Sequence, residues 1–237
     1  MHYGIIAAGE GSRLVTEGVA RPKPLVDLCG EPMIHRLVNI FLRCDAESVS
    51  VIVNEQMTEV RDYLRGITDS LGIPFNLVVK TTPSSMHSFY ELSSLMRGKG
   101  KFVITTVDTV FRENDFRKYI ESFSMSDSID GMMPVTSFVD DEKPLYVETD
   151  AEMDIVAFRD AAWDGAEFVS GGIYGLTSPA ISVLEKCMEE GISRMRNYQR
   201  QLVASGLRLK AYAFPKIVDV DHAEDIRMAE KFIKETV

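Results

Sequence analysis

A single α/β domain, with a mixed and mostly parallel sheet flanked by helices, is the fold predicted by this 237-residue sequence. Three observations support it. Short apolar or β-branched runs alternate with helix-periodic stretches through the first half of the chain, the pattern of βαβ units. Four strand-like runs then crowd into residues 131–176, close enough for some to pair antiparallel. No Pro/Gly/Ser-rich linker divides the chain, so residues 1–237 are read as one domain, with halves of about 1–125 and 126–237.

Tyr3–Ala8 is a short apolar run followed by a glycine loop, as expected of a strand buried on both faces. Met33–Leu42 repeats apolar residues at helical spacing, Ser48–Val53 is β-branched, and Met57–Leu64 is helical again. The alternation continues with a strand at Phe75–Val79, a helix at Ser88–Met96, a strand at Phe102–Val107 and a helix at Phe111–Phe123. In the second half, Gly131–Val135, Leu145–Glu148, Ile155–Arg159 and Phe168–Leu176 read as strands. Helices at Ala180–Glu190 and Ile192–Leu202 precede strands at Leu207–Ala213 and Ile217–Val220, and His222–Lys234 makes a closing helix. In such a sheet, ligands bind outside the carboxyl ends of the strands.

Composition narrows the class. With 45% hydrophobic residues the chain can bury a sizeable core, and its net charge of −10 is unsuited to nucleic acid or an anionic membrane, which require a broad basic surface. Anionic small molecules remain compatible, because a few placed basic groups and a metal bind phosphate within an acidic protein. Cys29, Cys44 and Cys187 are odd in number and lack CxxC spacing, which argues against disulfides and zinc. No signal-peptide pattern precedes the first strand, and apolar runs such as Leu37–Leu42 are far too short to span a bilayer. The expectation is a soluble, cytoplasmic protein, with homo-oligomerisation left open.

The densest chemistry follows the first strand, in Ala7-Ala8-Gly9-Glu10-Gly11-Ser12-Arg13-Leu14. Two small residues and two glycines let the backbone approach a ligand closely, and successive N–H groups can cradle phosphate oxygens. Arg13 adds a forked, permanent charge suited to phosphate. In Arg21-Pro22-Lys23-Pro24-Leu25 the flanking prolines restrict the backbone and present the Lys23 ammonium at a fixed place. The loop is not a Walker A motif, since neither Lys-Ser nor Lys-Thr follows Gly11. Nor is it a dinucleotide fingerprint, because Leu14 stands where the third glycine would permit close helix packing.

Together with Gly30-Glu31-Pro32-Met33-Ile34, these residues resemble the nucleotidyltransferase family that includes the nucleotide-sugar pyrophosphorylases, whose pattern is GxGxRL, then PKPL, then Gly-x-Pro-[Leu/Met]-Ile. The resemblance is concentrated in residues 1–55 and extends over the chain by order of elements. It implies a Rossmann-like (GT-A-like) domain whose first half binds an NTP and whose second half binds the acceptor. It also implies that Ala7, Ala8, Gly9, Gly11, Ser12 and Arg13 hold the nucleotide, and that Arg13 and Lys23 act at the reacting phosphates.

Asp108 ends an apolar strand, where α/β proteins place ligands. The family has a Mg²⁺-binding aspartate there, and a second before its last helix, for which Asp219 is the better match. Asp219 and Asp221 share one face of a strand, but Asp221 also has Glu224 three residues on, an N-capping arrangement. The metal is therefore assigned to Asp219 and the cap to Asp221. Ser84 and Ser85 lie where the family contacts the base, or cap a helix. Gly171-Gly172 resembles a stretch beside the acceptor, or marks a strand bulge. Glu148 matches an acidic position that holds sugar hydroxyls, with a surface salt bridge as the alternative. The family's Glu-Lys-Pro motif is missing, and Arg159 stands near its place as a candidate for the acceptor phosphate.

His2, His35, His87 and His222 have no metal or triad spacing and are read as structural. The resemblance implies Mg²⁺-dependent transfer of a nucleoside monophosphate from an NTP to a phosphorylated small molecule, a sugar 1-phosphate first, with release of pyrophosphate. A cytidylyl- or guanylyltransferase acting on phosphocholine or a molybdopterin is the nearest alternative, and a non-catalytic nucleotide or sugar-phosphate sensor the next. An NAD-dependent oxidoreductase is disfavoured by Leu14.

Overall fold

The computed structural model describes residues 1–139 and 142–235. Strand β1 (His2–Ala7) leads into a short helix α1 (Ser12–Thr16), a 3-10 turn at Lys23–Leu25, and a hairpin of β2 (Asp27–Leu28) and β3 (Glu31–Pro32). Helix α2 (Met33–Arg43), β4 (Ser48–Val53), α3 (Thr58–Thr68), β5 (Phe75–Val79), α4 (Ser85–Met96) and β6 (Lys101–Thr106) continue the alternation. Next come β7 (Thr109–Val110), α5 (Glu113–Met125), β8 (Gly131–Thr136), β9 (Tyr146–Thr149), β10 (Ile155–Arg159), β11 (Phe168–Ser170) and β12 (Ile173–Thr177). The chain then runs through α6 (Ser178–Glu189), α7 (Met195–Ala204), β13 (Leu209–Ala213), β14 (Val218–Asp219) and α8 (Ala223–Lys234).

The main sheet has the order β10-β9-β11-β8-β12-β6-β1-β4-β5, with β13 paired to β8. Its central block β6-β1-β4-β5 is parallel, as the βαβ alternation predicts, and β13 lies parallel to β8. The closely spaced strands of the second half pair antiparallel, and β12 joins the halves by pairing with both β6 and β8. A separate two-stranded ribbon of β7 and β14 brings residue 109 opposite residue 219.

Alternation along β1 divides the core. Tyr3, Ile5 and Ala7 face a cluster shared with α2, α3 and α5, whereas Ile6 faces one shared with α4, α6 and α7. Tyr3 stacks on Phe41 with ring centroids 4.3 Å apart, and its hydroxyl donates to the Cys44 carbonyl at 2.8 Å, so the buried phenol is satisfied. Each such aromatic contributes about 2 kcal/mol of burial. A third cluster, including Leu14, Met33, Val110, Val218 and Phe232, ties α1 and α8 to the β7–β14 ribbon.

Several boundaries differ from the sequence reading, two of them with a visible cause. The run Phe168–Leu176 is two strands, not one. Gly171 donates its N–H to the Pro134 carbonyl, while the Gly172 carbonyl accepts from the Thr106 N–H and the Thr105 hydroxyl, so the chain changes partners between the glycines. A Cβ on Gly172 would lie 2.2 Å from the Thr109 hydroxyl oxygen, which explains the glycine. The helix read from Ile192 starts at Met195, because Gly191 and Arg194 adopt positive φ and break the register. All three cysteines are free, and among the described residues no helix is long and apolar enough to cross a membrane.

Candidate functional site

In the block β5-β4-β1-β6, the connection leaving β1 runs toward β4, while β6 lies on the other side of β1. The carboxyl ends of β1 and β6 therefore flank a topological switch point, where the loops part and leave a crevice. The glycine loop leaves β1 here, and Asp108 leaves β6. A cavity of about 600 Å³ opens between them, walled by Gly9, Gly11, Ser12 and Arg13 on one side and Thr81–Ser85 on the other, with Lys23, Asp108 and Asp221 also lining it. That volume suits a small ligand.

Gly11 holds φ +63°, and a Cβ there would sit 2.8 Å from Cβ of Lys23. The glycine thus permits both the left-handed turn into α1 and the close approach of the lysine segment. Ala8, Gly9, Gly11 and Ser12 line the cavity as the sequence predicts, whereas Ala7 turns into the core beneath it.

Lys23, only 8% exposed, is the electrostatic centre. Its Nζ donates to Asp108 Oδ2 at 2.5 Å and to Asp221 Oδ1 at 2.7 Å. Arg13 Nη1 donates to the second oxygen of Asp221, also at 2.7 Å. Burial pulls the Lys23 pKa down, but the charges and hydrogen bonds of Asp108 and Asp221 outweigh it and leave it above its ordinary value. Burial would likewise raise Asp221, yet Lys23 and Arg13 hold its carboxyl below the usual range.

Asp219 behaves differently. Burial first, and then the charge of Asp108, push its carboxyl up to about 7, against a hydrogen bond from Thr109 that lowers it. Its Oδ1 is buried without a hydrogen-bond partner. An unpartnered carboxylate oxygen is a donor of the kind a hard divalent cation takes, with waters and phosphate oxygens completing its shell. Among the described residues no group of three or more His, Cys, Asp or Glu side chains is arranged to hold a metal ion.

The cap assignment is corrected here. The N-cap of α8 is His222, not Asp221, and its partner is Asp225, not Glu224. Asp225 Oδ2 accepts from the N–H groups of both Asp221 and His222, which shifts the cap by one residue and frees the Asp221 side chain to face Lys23. Asp221 consequently lines the first cavity with Asp108, while Asp219 lines a second, adjoining cavity.

That second cavity shares Arg13 and Asp221 with the first and adds Thr136, Phe138, Ser170, Gly171 and Ile217. Gly171 is thus placed at a site, and Gly172 lies directly behind it. Glu148 and Arg159 are not. They pair with each other across β9 and β10 at 2.7 Å, with Arg159 also over the Trp163 ring, and neither lines either cavity. Ser84 and Ser85 line the first cavity. Ser84 precedes α4 without a side-chain cap bond and instead meets His87 Nδ1 at 2.8 Å. Sequence reasoning missed Asn54, which is buried at the cavity wall and bonds Thr81. Its place just past β4, beside β1, was the available signal.

A family model described as the MobA-like NTP transferase domain matches residues 4–165, well over half of the chain. The chain belongs to this family. As a MobA-like NTP transferase it is 23% identical over 95% of its length to the bifunctional protein GlmU of Methanococcus maripaludis, covering 52% of that protein. It is 26% identical, over 49% of its length and 33% of the relative's, to a protein of Oryza sativa subsp. japonica designated mannose-1-phosphate guanylyltransferase 3. The chain thus spans about half or less of the length of these curated relatives. Among solved structures, a protein of Bacillus anthracis designated a glucose-1-phosphate thymidylyltransferase superposes with TM-score 0.86 at 18% identity, covering 100% of this chain and 96% of that one. The inositol-1-phosphate CTP transferase of T. maritima gives 0.80 at 19% identity, covering 100% and 97%. These two likenesses establish that the fold is shared.

Proposed function

We propose that this MobA-like NTP transferase moves a nucleoside monophosphate from an NTP to the phosphate of a small phosphorylated acceptor, a sugar 1-phosphate first, and that Mg²⁺ is its cofactor. The observation that carries the reading is the buried Lys23 ammonium held between Asp108 and Asp221 at the glycine-loop cavity. The 1-phosphate acceptors in the names of the relatives and structural neighbours support the choice of acceptor class.

The chemistry asks for geometry and charge. A phosphate monoester has a second pKa near ~6, so at neutral pH its oxygen attacks without a general base. In-line attack on the α-phosphorus forms a new P–O bond and expels pyrophosphate. The glycine-loop N–H groups orient the NTP phosphates, and Arg13 and Lys23 offset charge as it develops. Asp108 and Asp219, with Asp221 beside them, would hold Mg²⁺. When bound, the ion neutralises phosphate charge and orients the reacting groups. Asp221 engages only part of the donor capacity of Arg13 and Lys23, so a bound polyphosphate can share both cations with it.

The test is pyrophosphate release across all common NTPs, each paired with sugar 1-phosphates, inositol 1-phosphate and phosphocholine, with Mg²⁺ or with a chelator. One NTP–acceptor pair should turn over in a metal-dependent way. Tight NTP binding with no turnover across the whole panel would instead make the protein a sensor.

A further inference from the structure

Arg13 and Glu17 sit one turn apart at α1, and both reach across to the segment that begins α8. Arg13 takes Asp221. Glu17 takes the next two residues: its Oε1 lies 2.6 Å from His222 Nδ1, and its Oε2 accepts the Ala223 N–H at 2.6 Å. Ala223 opens α8, so its N–H is one of the amides a helix leaves without an internal acceptor. A carboxylate at that end also complements the helix dipole. Inside the same turn, Asp225 accepts from the N–H groups of Asp221 and His222. The backbone of residues 221–223 is gripped from within α8 by Asp225 and from outside by Glu17, and of these two only Glu17 fixes it to another element. That element is the turn following Arg13, whose carbonyl accepts the Glu17 N–H at 3.0 Å.

We propose that Glu17 is a positioning residue, clamping the start of α8 against α1 so that the Asp221 carboxylate meets Arg13 and Lys23 together. Its effect on turnover rests on the transferase reading; the clamp does not. Glu17 touches neither cavity that lines the reacting groups, and its action passes through Asp221.

Hydrogen exchange and kinetics on Glu17→Ala, Glu17→Gln, Asp221→Asn and the double variant Glu17→Ala/Asp221→Asn test this. In Glu17→Ala, amide exchange should quicken about tenfold or more at residues 221–226 and 9–16, with Ser48–Val53 unchanged. Unchanged exchange at 221–226 would overturn the clamp. Turnover of Glu17→Ala should show kcat lowered about tenfold with the NTP KM within about twofold, as for a displaced group. Glu17→Gln, which keeps an acceptor for the Ala223 N–H, should recover most of it. In the Asp221→Asn background, Glu17→Ala should cost nothing further, whereas independent, multiplying losses would show that Glu17 does not act through Asp221. A wild type that turns over no NTP–acceptor pair would defeat the transferase reading, while the exchange experiment still decides the clamp.

Discussion

Lys23 has a carboxylate oxygen on two sides, so replacing it does two things at once. It removes the cation that the proposed reaction places at the phosphates, and it leaves Asp108 and Asp221 facing each other without it. Lys23→Ala and Arg13→Ala should each lower kcat by roughly two to three orders of magnitude, beyond any rise in KM. Because only Lys23 is buried, Lys23→Ala alone should also lower Tm, and Mg²⁺ should restore more of that loss than it adds to wild type. Equal Mg²⁺ effects on the two proteins would count against a cation between these carboxylates.

Asp219 makes the opposite prediction. Its folded pKa is raised above the unfolded value, so its ionised form destabilises the fold above the unfolded pKa, and that penalty fades as pH falls through about 7 toward ~4. Without divalent metal, wild type should therefore gain stability between about pH 8 and pH 5.5, and Asp219→Asn should flatten the gain. Melting curves across that range check it; identical slopes would remove the buried charge from the account. The division of labour between Asp219 and Asp221 was only half legible in the sequence. Period two put both on one face, but two capping registers one residue apart fit the same letters, and Glu17, more than 200 positions away, helps hold the one that forms.

Elements read best where the local signal decided them alone. Ser48–Val53, Phe75–Val79 and Ile155–Arg159 were legible to the residue, since short runs rich in apolar and β-branched residues mark strands even at the sheet edges, where β5 and β10 lie. The break in Phe168–Leu176 was not, because a change of pairing partner leaves no mark on alternation. Gly172 is the point at which it becomes visible. Gly172→Ala forces a methyl group against the Thr109 and Thr106 hydroxyls at the junction of β11 and β12. It should cost about 1–3 kcal/mol. For a protein of this size that is a Tm fall of about 2–12 °C by calorimetry. An unchanged Tm would mean that the junction yields more freely than its packing indicates.

Over the whole molecule, an excess of acid surrounds the site proposed to take an NTP. The chain carries a net −10, while Arg13 and Lys23 are already paired with acids. In the proposed reaction long-range steering should therefore oppose an incoming NTP and leave its recognition to short-range contacts. Raising salt from about 0.02 to 0.2 M should leave NTP association unchanged or faster, since screening weakens the repulsion first. Stopped-flow association that slows steeply with salt would show that the local cations dominate even at a distance. The parallel block and its glycine loop were legible because they are local, whereas Glu148 and Arg159, carried over by a resemblance that fades in the second half, line neither cavity. Their mutual ion pair shows how a charged pair can satisfy itself at the far end of a sheet.

The Lys23–Asp221 pair joins residues 198 positions apart. At translation rates of 5–20 residues per second, roughly 10–40 s separate the emergence of one partner from that of the other. The parallel block can pack during that interval, but its lysine waits for a counter-charge that the ribosome has yet to deliver. The cluster of Asp108, Lys23 and Asp221 is thus incomplete until the segment before α8 docks, and through that interval Lys23 is not yet claimed by Asp221.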